Sequence, residues 1–158
     1  MSYKRIVTVL IIVLAVIGVF MWQYGGVSSD LSKIKSVTSK IKTFSPYFFR
    51  DGEIGGYQLQ RDTVSYEKNV LVFTLKHTSS NKEIIFTEQA IPSGFAIDAL
   101  QADKEFQTTY GKAYITDGLS RTTGALFTDD KTWILINAPQ PIGAESMEQL
   151  LSLLKPVR

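Results

Sequence analysis

From Tyr57 to Asn137 the chain alternates apolar and polar side chains, and short turn clusters cut the alternation at close intervals. A period of two puts successive side chains on opposite faces of a strand, so this stretch reads as a series of half-buried strands rather than helices. Tyr57-Gln58-Leu59-Gln60-Arg61 opens the first, leading toward Val64 and Tyr66, and Glu67-Lys68-Asn69 turns the chain. Val70 to Lys76 is dense enough in Val, Leu and Phe to be a central strand. His77 to Lys82 closes a hairpin, and Glu83 to Gln89 returns with Ile84 and Phe86 on one face. Ile91-Pro92 breaks the sheet, and Ser93 is placed to cap a short helix holding Phe95, Ala96, Ala99 and Leu100. Phe106–Thr109, Lys112–Thr116, Ser120 or Thr122 through Thr128, and Thr132–Asn137 read as further strands, with turns at Tyr110-Gly111, Asp117-Gly118 and Asp129-Asp130-Lys131.

From Ala144 the period becomes helical, with Met147, Leu150, Leu151 and Leu154 on one stripe and Pro156 closing the helix. An amphipathic helix of this kind needs a sheet face to cover. The predicted fold class is therefore α+β: an antiparallel sheet of five to seven strands with helices mainly on one face.

The other constraint lies at the amino end. Ile6 to Trp22 holds seventeen residues without a charge, spanning roughly 26 Å as a helix, close to what a bilayer requires. Lys4 and Arg5 precede it, as in a signal peptide. The apolar run is longer than the usual signal core, however, and no clear small-x-small cleavage site follows it, Tyr24-Gly25-Gly26 being a weak alternative. The expectation is an uncleaved transmembrane signal anchor, 1–24, with the amino terminus in the cytoplasm and the remainder outside. Residues 25–45 read as a juxtamembrane helix or stalk. Leu31, Ile34, Val37, Ile41 and Phe44 share one face, and Lys33, Lys35, Lys40 and Lys42 are candidates for contact with lipid headgroups. The plainer alternative packs this helix on the domain with its lysines in water. Residues 46–158 form one extracytoplasmic α+β domain, large enough for one core and too small for two.

Charge is unevenly distributed. Residues 51–158 carry ten Lys and Arg against fourteen Asp and Glu, so the basic character belongs to the amino-terminal part and nucleic acid is not an expected ligand. There is no cysteine, which removes disulfides, thiolate chemistry, a lipobox attachment and cysteine-ligated metal.

Motifs that carry chemistry are sparse. His77 is the single histidine, so any base–nucleophile pair depends on it, and it falls at a hairpin. Ser79-Ser80-Asn81-Lys82 spells Ser-x-x-Lys, but that spacing works when both residues sit on one helix, and here it lies between strands. Asp51, Glu53, Asp117, Asp129 and Asp130 all fall in turns, where aspartate is favoured for bonding nearby backbone N–H groups. No catalytic residue, cofactor site or metal site is assigned, and an enzyme is not expected.

Gly56-Tyr57-Gln58-Leu59, Ile84-Ile85-Phe86-Thr87-Glu88-Gln89, Pro92, Gly111-Lys112-Ala113-Tyr114-Ile115 and Ser146-Met147-Glu148-Gln149-Leu150-Leu151 together resemble small bacterial membrane-anchored extracytoplasmic domains of unassigned function. Such domains are distantly similar to lipoprotein-carrier or anti-sigma-associated sensor domains. The resemblance implies protein or lipid binding at the cell surface and names no catalytic residue.

The first functional expectation is thus a protein-binding or envelope-assembly module anchored in the bacterial cell membrane. Its partner would be an envelope protein, met through the aromatics Tyr47, Phe48, Phe49, Tyr110 and Trp133. The consecutive trio Tyr47-Phe48-Phe49 has a plainer reading as a plug for one end of the core. A second expectation is a lipid- or small-ligand-binding domain with an apolar cavity between sheet and terminal helix, lined by Phe73, Phe86, Leu126, Trp133 and Leu151. A third, an envelope hydrolase, requires a pocket holding His77 or two converging acids.

Overall fold

The computed structural model describes residues 32–49, 54–95 and 101–157. Seven strands make one antiparallel sheet in the order β2-β3-β4-β8-β7-β6-β5: β2 Tyr57–Glu67, β3 Val70–His77, β4 Glu83–Ala90, β5 Lys104–Thr108, β6 Gly111–Asp117, β7 Thr122–Thr128 and β8 Thr132–Ala138. It is two meanders, β2 to β4 and β5 to β8, zipped together where β4 pairs with β8 through Phe86 opposite Ile136 and Glu88 opposite Ile134. A small ribbon is separate: β1, Tyr47–Phe49, pairs antiparallel with β9, Leu154–Pro156. Two helices complete the described fold, α1 over 32–38 and α2 over Ala144–Leu153.

One sheet face carries the core. Alternation places Leu71, Phe73 and Leu75 of β3, Ile84 and Phe86 of β4, and Ile134 and Ile136 of β8 on it, all fully buried. Phe73 and Phe86 stack with ring centroids 4.7 Å apart and planes 7° off parallel. The β1 ribbon covers this half, its Phe48 meeting Phe73 edge-on at 5.3 Å and its Phe49 meeting Phe86 at 5.6 Å. Such pairs add roughly 0.5–1.5 kcal/mol each beyond the area they bury. The other half, over β5 to β7, is covered by α2 through Met147, Leu150 and Leu151. Helix and sheet come very close there. A Cβ on Gly124 would lie 2.6 Å from Met147 Sδ and 3.1 Å from Leu151 Cδ1.

The α+β class, the antiparallel sheet and the covering terminal helix match the sequence-based expectation, but other parts of it are corrected. Among the described residues no helix is long and apolar enough to cross a membrane. The longer one, α2, has ten residues, a length of about 15 Å, half of what the hydrocarbon layer requires. The expected anchor at Ile6–Trp22 lies outside the described residues. Nothing in the structure therefore supports a transmembrane element, the single-pass placement in a bacterial cell membrane with a cytoplasmic amino terminus, a lipid-bilayer partner, or the anchored protein-binding and envelope-assembly role that depended on them. The described residues form an α+β domain.

Helix α1 ends sooner than its apolar spacing predicted: residues 39 and 40 turn, and Thr38 bonds the Lys35 carbonyl with its hydroxyl. Its Ile34 is fully buried in the core, while Lys33, Lys35, Lys40 and Lys42 are exposed. No helix begins at Ser93, where the backbone turns through Gly94 at φ 80°. Residues 96–100, the rest of that expected helix, lie outside the described residues. Pro156 does not simply close α2: Leu154–Pro156 runs on as β9.

Candidate functional site

Two polar clusters interrupt this apolar interior, at opposite ends of β3. The first surrounds Glu88, which follows Ile84 and Phe86 on the core face of β4 and has no exposed surface. Its Oε2 accepts the Tyr47 N–H at 2.8 Å, and its Oε1 has no hydrogen-bond partner. Burial pushes its carboxyl up to about 8, against the smaller lowering effect of the Tyr47 N–H. Glu88 therefore holds its proton at neutral pH.

Asp130, in the turn between β7 and β8, goes the other way. Its partial burial favours the neutral form, but hydrogen bonds from Thr128, Ser45, Tyr47 and Thr132 outweigh this and hold it below the usual carboxylate range. The Thr128 hydroxyl donates to Asp130 Oδ1 and accepts the Thr132 N–H at 2.9 Å, and Tyr47 Oη donates to Asp130 Oδ2 at 3.3 Å. Burial, followed by the Asp130 charge, pushes the Tyr47 phenol up to about 12. The Thr132 hydroxyl bonds the Ser45 carbonyl at 3.0 Å, and the Val157 N–H bonds that of Pro46 at 2.8 Å. Nearly all of this polarity is used to hold residues 45–47 against the sheet. It is a clasp.

The second cluster is open. A groove of about 410 Å³ lies between the turn at Ile54–Tyr57, the β3–β4 hairpin and one side of α2. Gly55 and Gly56, at φ 50° and 85°, let the chain double back so that the Tyr57 N–H reaches the Ile54 carbonyl at 2.7 Å. The Gly56 carbonyl accepts the Thr78 N–H at 2.8 Å, tying this turn to the end of β3. The hairpin closes through His77 N–H to the Lys82 carbonyl at 2.9 Å. Helix α2 contributes Ser146, Gln149, Leu150 and Leu153, whose spacing of three, four and seven places them on one face.

The groove is lined by apolar side chains, from Ile54, Ile142, Leu150 and Leu153, and by polar ones, from Tyr57, His77, Ser80, Lys82, Ser146 and Gln149. Leu153 is 39% exposed, one of two large apolar side chains standing in the open among the described residues. His77 is fixed: its ring meets Tyr57 edge-on at 4.8 Å, and its Nδ1 accepts the Ser79 N–H at 3.3 Å with Ser79 Oγ 3.2 Å away. An accepting Nδ1 leaves the neutral ring's proton on Nε2, which is then a donor. Burial raises the Tyr57 phenol above its ordinary value, so it keeps its proton as well. Among the described residues no acidic side chain lines the groove.

The remaining sequence-derived candidates fall elsewhere. Tyr47, Phe48 and Phe49 are 3–4% exposed and plug the core, so they offer no contact surface. Tyr110 packs edge-on against Tyr47 at 5.6 Å. Trp133 lies on the opposite sheet face, stacked with Phe127 at 5.8 Å and beside Phe95 at 4.9 Å. The lipid-type cavity expected between sheet and α2 is also corrected: Phe73, Phe86, Leu126 and Leu151 are at most 1% exposed and fill that space, and Trp133 is not on that face. Ser79 sits within reach of His77, but the Ser79 N–H already occupies Nδ1 and among the described residues no carboxylate orients the ring, so the pair closes a turn. Ser-x-x-Lys lies on that same turn, not on a helix, although its Lys82 enters the groove. Among the described residues no three His, Cys, Asp or Glu side chains gather to hold a metal ion.

Sequence reasoning missed Tyr57, Lys82, Gln149 and Leu153 as a group. The one signal available was Leu153, an apolar residue off the buried stripe of its helix. For Glu88 the signal was an acid in phase with Ile84 and Phe86. Comparison with protein-family models, with curated proteins and with solved structures finds no match to this chain. The resemblance to small anchored domains gains nothing from these comparisons, and no residue role is taken from it.

Proposed function

We propose that this chain is a small-molecule-binding domain whose site is the groove between the Ile54–Tyr57 turn, the β3–β4 hairpin and α2. One observation carries this reading. The groove combines apolar side chains with a Lys82 ammonium that has no ion-pair partner among the described residues, and its volume of about 410 Å³ is that of a site for a ligand of drug-like size or smaller. It is not the apolar cavity of a lipid carrier, because half of its lining residues are polar. Binding without chemistry is the reading favoured by the ring of His77, whose Nδ1 is committed to its own turn.

The single histidine makes the test direct. In a titration of the full chain with 3-phenyl-1-propanol followed by NMR, the His77 ring signals are expected to shift saturably, with Kd of roughly 1 mM or tighter. A Ser146→Trp variant, which fills the groove from an exposed helix position, is expected to abolish that shift. Unmoved His77 signals, or an equal shift in the filled variant, would overturn the reading.

A further inference from the structure

Resting on that reading, we infer that the groove takes a small organic acid: an apolar body seated against Leu150 and Leu153, with an anionic, acceptor-only head group turned to Lys82 and His77. The lining decides this by what it offers and what it omits. The Lys82 ammonium can only donate, the His77 ring, the Tyr57, Ser80 and Ser146 hydroxyls and the Gln149 amide can each donate, and among the described residues no Asp or Glu lines the groove. An anion can accept from each of these groups, whereas an ammonium or guanidinium ligand would meet a like charge and, among the described lining residues, no countercharge.

Nothing within the described fold satisfies the donors beforehand. The charge of Lys82 has no ion-pair partner among the described residues, in contrast to Lys104 with Glu148 and Lys112 with Glu105 at 2.7 Å. Of the apolar lining Leu153 stands open, 39% exposed on the face of α2 that borders the hairpin, while Ile54 and Leu150 are 2% and 6% exposed. At about 410 Å³ the space suits a molecule with one ring or a short branched chain rather than a long acyl tail.

The experiment compares 3-phenylpropionate with 3-phenyl-1-propanol, which share the ring and spacer and differ in the head group. Full-length protein at neutral pH and low salt is titrated with each, and the His77 ring signals report occupancy. The acid is expected to bind roughly tenfold tighter than the alcohol. That advantage is expected to shrink to about twofold or less in Lys82→Gln and on raising the salt concentration. Alcohol and acid binding equally well would overturn the anionic assignment and leave the groove as a binding site. Tighter binding of 3-phenylpropylamine than of the acid would also overturn it. No saturable shift with any of the probes would overturn both the assignment and the function on which it rests.

Discussion

The two polar clusters sit at either end of β3, with Leu71 paired to Glu88 at one end and His77 on the groove at the other. Similar chemistry is put to opposite use. At the clasp, a fully buried acid, a tyrosine, an aspartate and two threonines fasten the β1 ribbon to the sheet, and hardly a polar atom is left to meet anything else. At the groove, a lysine, a tyrosine, two serines and a glutamine line a concave surface that the fold leaves unfilled. Polarity spent on the chain's own backbone marks architecture. Polarity left unspent beside exposed leucine marks a site. The comparison predicts that substitutions at the clasp change stability and those at the groove change binding.

The largest expected effect is the pH dependence that Glu88 imposes. Its carboxyl is raised from 4.5 in the unfolded chain to about 8 in the fold, so the folded state holds a proton that the unfolded state releases. The stability linked to this group is fully present below pH 4.5, falls as pH rises, and is gone above pH 8. The full shift corresponds to about 4–5 kcal/mol. Asp130, with its pKa lowered, acts in the opposite sense at the acid end, losing its contribution as pH falls below its ordinary value. Denaturant unfolding from pH 5 to 9 should show the decline, and Glu88→Gln, isosteric and uncharged, should flatten it. A wild-type profile flat across that range would contradict the clasp.

Next in size is the ribbon that the clasp holds. Phe49→Ala removes a ring that is 3% exposed and packed edge-on against Phe86. It should cost about 3–4 kcal/mol in urea unfolding. A loss under about 1 kcal/mol would mean that β1 is not part of the core. Smaller again is Gly124→Ala, whose methyl must displace the flexible end of Met147 from 2.6 Å. It should cost roughly 1–3 kcal/mol through overpacking. Smallest are the groove changes: Lys82→Gln and Leu153→Ser should stay within about 0.5 kcal/mol of wild type in stability, while both weaken 3-phenylpropionate binding.

Legibility in the sequence followed how local the physics was. Strands β2 to β8 announced themselves because alternation and turn residues act over a few positions, and Met147, Leu150, Leu151 and Leu154 gave α2 in the same way. The β1–β9 ribbon did not, since three-residue strands carry no period and Tyr47 meets Pro156 across most of the chain. Pro156 also misled: it ends a helix and equally tolerates an edge strand. The β4–β8 pairing that joins the two meanders was invisible for a related reason, because cross-strand packing has no signature in either strand alone. The groove was hidden most thoroughly. It is assembled from residues 54–57, 77–82 and 142–153, and within each segment tyrosine, lysine and glutamine are ordinary surface residues. Only their convergence makes a site.

The claim that this convergence is the binding surface is tested most directly by intermolecular NOEs from the ring of bound 3-phenylpropionate in the full-length protein. The account predicts contacts to the methyl groups of Leu150 and Leu153 and to the ring of Tyr57, with none to Trp133 or Phe127 on the opposite sheet face. Contacts to Trp133 and Phe127 in place of the leucines would contradict it.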